Sequence, residues 1–323
     1  MPSPPPAESP SGPTQAAAQI PLGQAALPDA AAHRANMRGI AWMIAAMAAF
    51  AIEDALLKTV TRHWPIGQVL MGFGAGGAVV FAVLALRSGA ALRTPPSLSR
   101  VMRWRAACEF VGRLFYMLAI ALTPLSSATA ILQATPLVVV LGAVLLYRET
   151  VGWSRWLAIF TGLAGVLIVL RPAAGDFSWL SLLAVIGTLG FAGRDLASRA
   201  VPMTVSTWVL GLYGFTTVVV AGSLYAGWDG RAFVVPTPAT SFGLAAAVAA
   251  GVTGYASLMK AMRTGSISVV TPFRYTRLLF GISLGAVVFG ERPDGPMLLG
   301  CAVIIGAGLF IWWQGRRKTP STR

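Results

Sequence analysis

The strongest constraint on how this chain folds is a series of apolar stretches, each about 20 residues long, between residues 38 and 314. At about 1.5 Å of rise per residue, a helix of that length crosses the hydrocarbon core of a bilayer. Ten such stretches can be placed, at 38–58, 65–86, 104–122, 126–147, 153–170, 178–198, 205–227, 241–262, 267–290 and 295–314. The expected fold class is an all-α integral membrane protein with about ten transmembrane helices.

Composition excludes the soluble alternative. The chain is 56% hydrophobic and 11% charged, with a mean hydropathy of +0.70, whereas soluble domains carry roughly a quarter charged residues. So few charges cannot cover a soluble globule of 323 residues. The net charge of +14 does not point to nucleic acid, because the basic residues sit in short clusters between apolar runs rather than along one face. Cys108 and Cys301 both fall in apolar segments and read as small hydrophobes, not as a disulfide framework or a metal site. The first 36 residues are rich in Pro and Ala and lack the basic start and continuous apolar core of a secretory signal, so a disordered tail is expected there.

Lysine and arginine in the connections set the orientation. With the N-terminus inside, sixteen basic residues fall in inside segments, among them Arg34, Arg100, Arg103, Arg105 and Arg316, against five outside, Lys58, Arg62, Arg171, Arg231 and Arg292. Both termini are therefore expected to be cytoplasmic. Trp64, Trp104, Trp153, Trp156, Trp179, Trp208, Trp228, Trp312 and Trp313 fall near the ends of the stretches, where amphipathic rings prefer the membrane interface.

An internal repeat divides the chain. Shifted by 142 residues, "LLYRETVGWSRWLAIFTGLAGVLIVL" falls on "VVFGERPDGPMLLGCAVIIGAGLFIW" without a gap, placing Glu149 on Glu291 and Glu53 on Asp195. Each half holds five spans, and an odd number gives the halves opposite orientations in the membrane, as in many secondary transporters. The expected organisation is a tail (1–36), a first five-span repeat (37–171), a second (172–314) and a short basic cytoplasmic tail (315–323).

Polar residues inside spans are functional candidates, because burying an ionisable group in a bilayer is costly. The first span holds Glu53 and Asp54, with Lys58 towards its outer end; the third holds Glu109, Arg113 and Tyr116. The fourth holds Gln133, the sixth Arg194 and Asp195, and the ninth, within "FRYTRLLFG", Arg274, Tyr275 and Arg277. Glu109 and Arg113 have the i, i+4 spacing of a helical ion pair, as do Asp54 and Lys58. Arg194 and Asp195 are adjacent and are expected to point in different directions. Arg274 and Arg277 have no acid in their own span and, three apart, can face one side and offer donors to an anionic or zwitterionic solute. The acids can meet the cationic part of such a solute or carry a coupling proton, since burial favours the protonated carboxyl. Tyr116, Gln133 and Tyr275 either line the same cavity or bond across helices. Small-residue runs at 72–77 and at Gly281 and Gly285 are expected to let helices approach closely. Pro136 can kink the fourth span and free a carbonyl, and Pro272 lies nearer the start of the ninth.

The stretches "ALTPLSSATAILQATPLVVVLGAVLLYRE" and "SVVTPFRYTRLLFGISLGAVVFGE", set in two halves of five spans, resemble the repeat ends of the drug/metabolite transporter superfamily, EamA branch. The resemblance covers about residues 38–314 and implies a bacterial inner-membrane carrier with a central cavity between the halves, working by alternating access. By the same likeness the cavity is lined by spans 1, 3, 4, 6, 8 and 9, which carry every intramembrane charge named above. Members move amino acids and their derivatives, S-adenosylmethionine, riboflavin, metallophores or drugs. This chain departs from the plainest members in carrying more charge in its third and sixth spans.

The leading expectation is a secondary transporter of a small polar metabolite, zwitterionic or anionic, such as an amino-acid derivative. Its partners would be that solute and the lipid bilayer, with protons as the candidate coupling ion and a homo-oligomer left open. Alternatives are a riboflavin- or drug-type carrier, or a flippase for a lipid-linked substrate. An intramembrane enzyme is not expected, because the histidines are His33 in the tail and His63 in a loop, and no HExxH or paired-aspartate motif appears. No cofactor or metal is expected.

Overall fold

The computed structural model describes residues 29–90, 99–147, 152–170, 178–201, 205–264 and 270–317. Its helices are α1 (Asp29–Val60), α2 (Ile66–Arg87), α3 (Arg100–Leu122), α4 (Leu125–Leu132), α5 (Thr135–Tyr147), α6 (Trp153–Leu170), α7 (Ser181–Arg199), α8 (Thr207–Asp229) and α9 (Pro238–Thr264). A 3-10 turn (Thr271–Tyr275) then leads into α10 (Thr276–Phe289), and α11 (Gly295–Arg317) ends the described chain. With α4 and α5 sharing one span, and the 3-10 turn and α10 another, these elements make ten membrane crossings.

The ends follow local chemistry. Ser99 caps α3 by accepting from the Met102 N–H at 3.3 Å, and Ser206 caps α8 through the Trp208 N–H. Gly230 and Gly290 close α8 and α10 at φ 66° and 68°, a left-handed conformation that suits glycine. One boundary differs from expectation. Helix α1 starts at Asp29, so the last part of the predicted disordered tail is helical; residues 1–28 and 318–323 lie outside the described residues.

The packing shows the two-fold relation of the halves. Helix α1 packs on α9 as their counterparts α7 and α3 pack on each other, and the packing of α3 on α8 is matched by that of α9 on α2. Spans that are their own counterparts, α2 with α8 and α6 with α11, pack together about the same axis. Both spans with an interrupted sequence change their winding at equivalent places. Span four passes through a turn at Gln133–Ala134 and span nine changes from 3-10 to α at Tyr275–Thr276, 142 residues apart in each case. At the first of these Pro136 has no N–H to give Leu132 four residues back, and the Thr135 hydroxyl bonds that carbonyl instead. At the expected kink a two-residue turn thus separates two helices. Pro272 sits in the first turn of the 3-10 segment.

Not every span is apolar enough to cross alone. α1, α2, the α4–α5 pair, α8 and α9 are; α6 and α11 contain shorter apolar helices. α3, α7 and α10 are not among these, and they carry Glu109, Arg113, Arg194, Asp195 and Arg277 turned into the bundle. The outer faces carry exposed Val79, Leu86, Leu145, Phe160 and Val287, and Trp104, Trp153, Trp179 and Trp228 project near helix ends. Inside, Phe73, Phe81, Tyr116, Ile120, Ile131 and Leu137 form one continuous core.

Close approach of α3 and α7 positions the site. A Cβ on Gly190 would lie 2.3 Å from the Gly112 nitrogen, and one on Gly187 2.8 Å from the Tyr116 nitrogen, so only glycine admits this backbone contact. Gly74 meets the Val219 backbone and Gly281 meets Thr129, as the small-residue runs led one to expect.

Candidate functional site

Side chains from α1, α3, α7 and span nine converge on the bundle axis in three tiers of charge. In the middle tier Arg113 Nη1 lies 2.7 Å from Glu53 Oε1, and Arg277 Nη2 lies 2.6 Å from Asp54 Oδ2. The Tyr116 hydroxyl donates to the same Asp54 oxygen at 3.1 Å. Both carboxylates are 1% exposed and both arginine side chains 16%, so the acids are deeply buried, and two acids balance two arginines. The Arg113 guanidinium stacks over Phe73 at 5.3 Å and Arg277 over Phe50 at 5.2 Å, contacts that strengthen when desolvated. Four polar atoms remain open: Glu53 Oε2, Asp54 Oδ1, Arg113 Nε and Arg277 Nε have no hydrogen-bond partner among the described residues. Buried polar groups in that condition are where a ligand or water binds.

The second tier lies lower on α3 and near the end of α7. Arg194 donates to Asp195 Oδ1 through Nε and Nη2, at 3.0 and 2.8 Å, and its Nη1 lies 3.3 Å from Glu109 Oε1. Arg105 approaches Glu109 at 3.9 Å and donates to Ser198 Oγ at 2.9 Å. Arg274 reaches Asp195 Oδ2 at 3.7 Å, an ion pair too long for a hydrogen bond. Three arginines here face two carboxylates, leaving one unit of positive charge among the described residues. Arg194, Asp195 and Arg274 are 24%, 25% and 32% exposed, so solvent reaches this tier. The Phe191 ring lies between this tier and the middle one, 4.8 Å from Arg194 and 6.0 Å from Arg113.

The third tier closes the opposite end. Lys58 Nζ lies 3.7 Å from Glu291 Oε1.

Several pairings differ from the spacing rules. Glu109 and Arg113 do not pair with each other, because Glu53 on α1 stands closer to Arg113, and Arg105 and Arg194 take Glu109. Asp54 and Lys58 do not pair either; Lys58, in the last turn of α1, is buried and faces Glu291. Arg194 and Asp195 do bond, since the long arginine stem folds back on its neighbour. Arg274 and Arg277 share a side of span nine, yet each finds an acid in another span.

Gln133 bonds across helices, its amide donating to the Arg274 carbonyl at 3.2 Å. Tyr275 is buried and turned away from the charges, its hydroxyl against α11 at Gly308. Arg105, Ser198 and Phe191 join the site without having stood out in the sequence; the aromatic ring had no signal, but Arg105 sits four residues before Glu109. Cys108 and Cys301 are free thiols. Among the described residues no three His, Cys, Asp or Glu side chains are arranged to hold a metal.

The sequence is similar to those of known membrane transporters. The model of the EamA-like transporter family matches residues 37–171. A riboflavin transporter of Rhizobium johnstonii is 30% identical over 87% of this chain and 92% of its own length. An S-adenosylmethionine uptake transporter of Rickettsia prowazekii is 24% identical over 88% of this chain and 96% of its own. A pseudopaline exporter of Pseudomonas aeruginosa is 24% identical over 83% and 94%.

Proposed function

The chain belongs to the EamA-like transporter family, and on that premise we propose that it carries a small metabolite bearing a carboxylate or similar anionic group, docked at Arg274 and Arg194. That it is a multi-pass membrane transporter of small metabolites follows from the family; the substrate class is our reading. One observation carries it. The more exposed tier has three arginines against two carboxylates, whereas the more buried middle tier is balanced. An anionic group supplies the missing charge, and Arg274, whose ion pair among the described residues is a long one at 3.7 Å, is the donor placed to meet it. Each charge-assisted contact contributes about 1.5–3 kcal/mol.

In this reading the open atoms Glu53 Oε2 and Asp54 Oδ1 receive a cationic part of the solute or a coupling proton. The halves, taken as 37–171 and 172–314, rock about the two-fold axis in a bacterial inner membrane with both termini in the cytoplasm. The accessible tier then faces the cytoplasm. S-adenosylmethionine, named for one relative, has an amino-acid head group of the kind this site suits.

The test is thermal stabilisation of the purified protein by amino-acid derivatives, nucleosides, vitamins and organic anions, in wild type and Arg274→Gln. A bound solute raises the melting temperature with concentration over affinity. Carboxylate-bearing compounds are expected to stabilise wild type and to lose that effect in the variant. A second reading rests on the riboflavin transporter relative and on the aromatic rings at the arginines: a flat heteroaromatic solute that stacks rather than ion-pairs. Stabilisation by neutral heteroaromatics, unchanged in Arg274→Gln, would replace the first reading by this one.

A further inference from the structure

The third tier takes no part in the site above, and its contacts run between the two halves. Glu291 follows α10 and turns back on the left-handed Gly290. Its two carboxylate oxygens accept from the backbone N–H groups of Leu125 and Ser126, at 2.6 and 2.9 Å. These are the first amides of α4, unpaired within their own helix and at the positive end of its dipole. Lys58 of α1 does the complementary thing. It donates to the carbonyls of Ile120 and Thr123, at the close of α3, and faces Glu291.

One carboxylate and one ammonium thus occupy the two free backbone ends of the α3–α4 turn. The α1 and α3–α4 segments belong to the first half, and Glu291 to the second. The fit leaves no slack. A Cβ on Gly285 would stand 2.5 Å from Glu291 Oε2, and the Phe289 ring lies 5.2 Å from Lys58 and 4.9 Å from Arg62. Both charged side chains are about nine-tenths buried, at 10% and 12% exposure.

A carrier that alternates access must close one end of its cavity while the other is open. Here the Arg274 end is reached by solvent and the Glu291 end is sealed. We infer that Glu291 and Lys58 are gating residues: their contact with the α3–α4 turn holds this end shut, and withdrawing Glu291 from the α4 amides is the step that opens the cavity there. The inference rests on the carrier reading but not on any substrate, so a failed ligand panel leaves its test intact.

The test is hydrogen exchange on the full-length protein in nanodiscs without ligand, for wild type, Glu291→Gln and Lys58→Met. Two variants are used because either alone can fail to fold. Losing the gate is expected to raise exchange roughly tenfold or more, a modest population shift, in peptides covering 57–64, 120–129 and 285–291. Exchange at the other end, in 103–110 and 192–199, is expected to fall as that end closes. Glu291→Asp is expected to restore part of the wild-type pattern. Faster exchange at both ends would mean general loosening. Faster exchange at the Glu291 end with the other end unchanged would mean a lost helix cap and nothing more. Either result, or no change, overturns the proposal.

Discussion

Arg277 Nη2 and Asp54 Oδ2 stand 2.6 Å apart although 223 residues separate them in the chain, and this contact ties the ninth span to the first in the middle tier of the bundle. Tyr116 bonds the same oxygen from α3, so three spans meet on one carboxylate. Cutting either charge leaves the other buried and unpaired, which costs about 3–5 kcal/mol.

Arg277→Gln and Asp54→Asn are therefore each expected to lower stability by about that amount. The double variant, with no stranded charge, is expected to lose well under the sum. A double-mutant cycle of thermal or denaturant stability in detergent checks it. Additive losses would show that the two groups are not coupled.

The α3–α7 seam offers a steric test. Gly190→Ala places a methyl 2.3 Å from the Gly112 nitrogen, so the helices must separate, and overpacking of this kind costs about 1–3 kcal/mol or more. The separation also pulls Arg194 from Glu109, and ligand stabilisation should fall with it. Gly306→Ala, where nothing lies within 4 Å, is the control expected to change neither.

Pro136→Ala returns an N–H that can bond the Leu132 carbonyl now held by Thr135. A straighter fourth span is expected, with stability equal to or above wild type and turnover reduced several-fold, the usual exchange of flexibility for stability. Counterflow in proteoliposomes, set against the melting temperature, measures both. Faster turnover would show that the turn is not needed for rocking.

Much of this architecture was legible in the sequence because it rests on local, periodic signals. Apolar length marks the spans, the 142-residue shift pairs Glu53 with Asp195 and Glu149 with Glu291, and glycine runs mark close seams. Glu149 itself lies outside the described residues. What stayed hidden was which charge meets which. The i, i+4 rule describes a helix with water around it; in a bundle, Glu53 of α1 reaches Arg113 at 2.7 Å and displaces the neighbour on the same helix. The partners of Lys58 were not legible because they include two backbone carbonyls at the end of α3, groups every residue has and no sequence pattern marks. Tyr275 turned away from the cavity because the 3-10 turn winds at about 3.0 residues per turn rather than the 3.6 of an α-helix, rotating it towards α11.

The central claim is that Arg274 meets an anionic group of the solute, and a cycle between ligand and residue tests it most directly. The affinity of the best stabilising carboxylate, and of its uncharged amide, is measured by calorimetry on wild type and on Arg274→Gln. The account predicts that neutralising either partner weakens binding roughly ten- to a hundredfold, and that neutralising both weakens it little further. Independent losses that multiply in the double change would place the anionic group elsewhere and contradict the account.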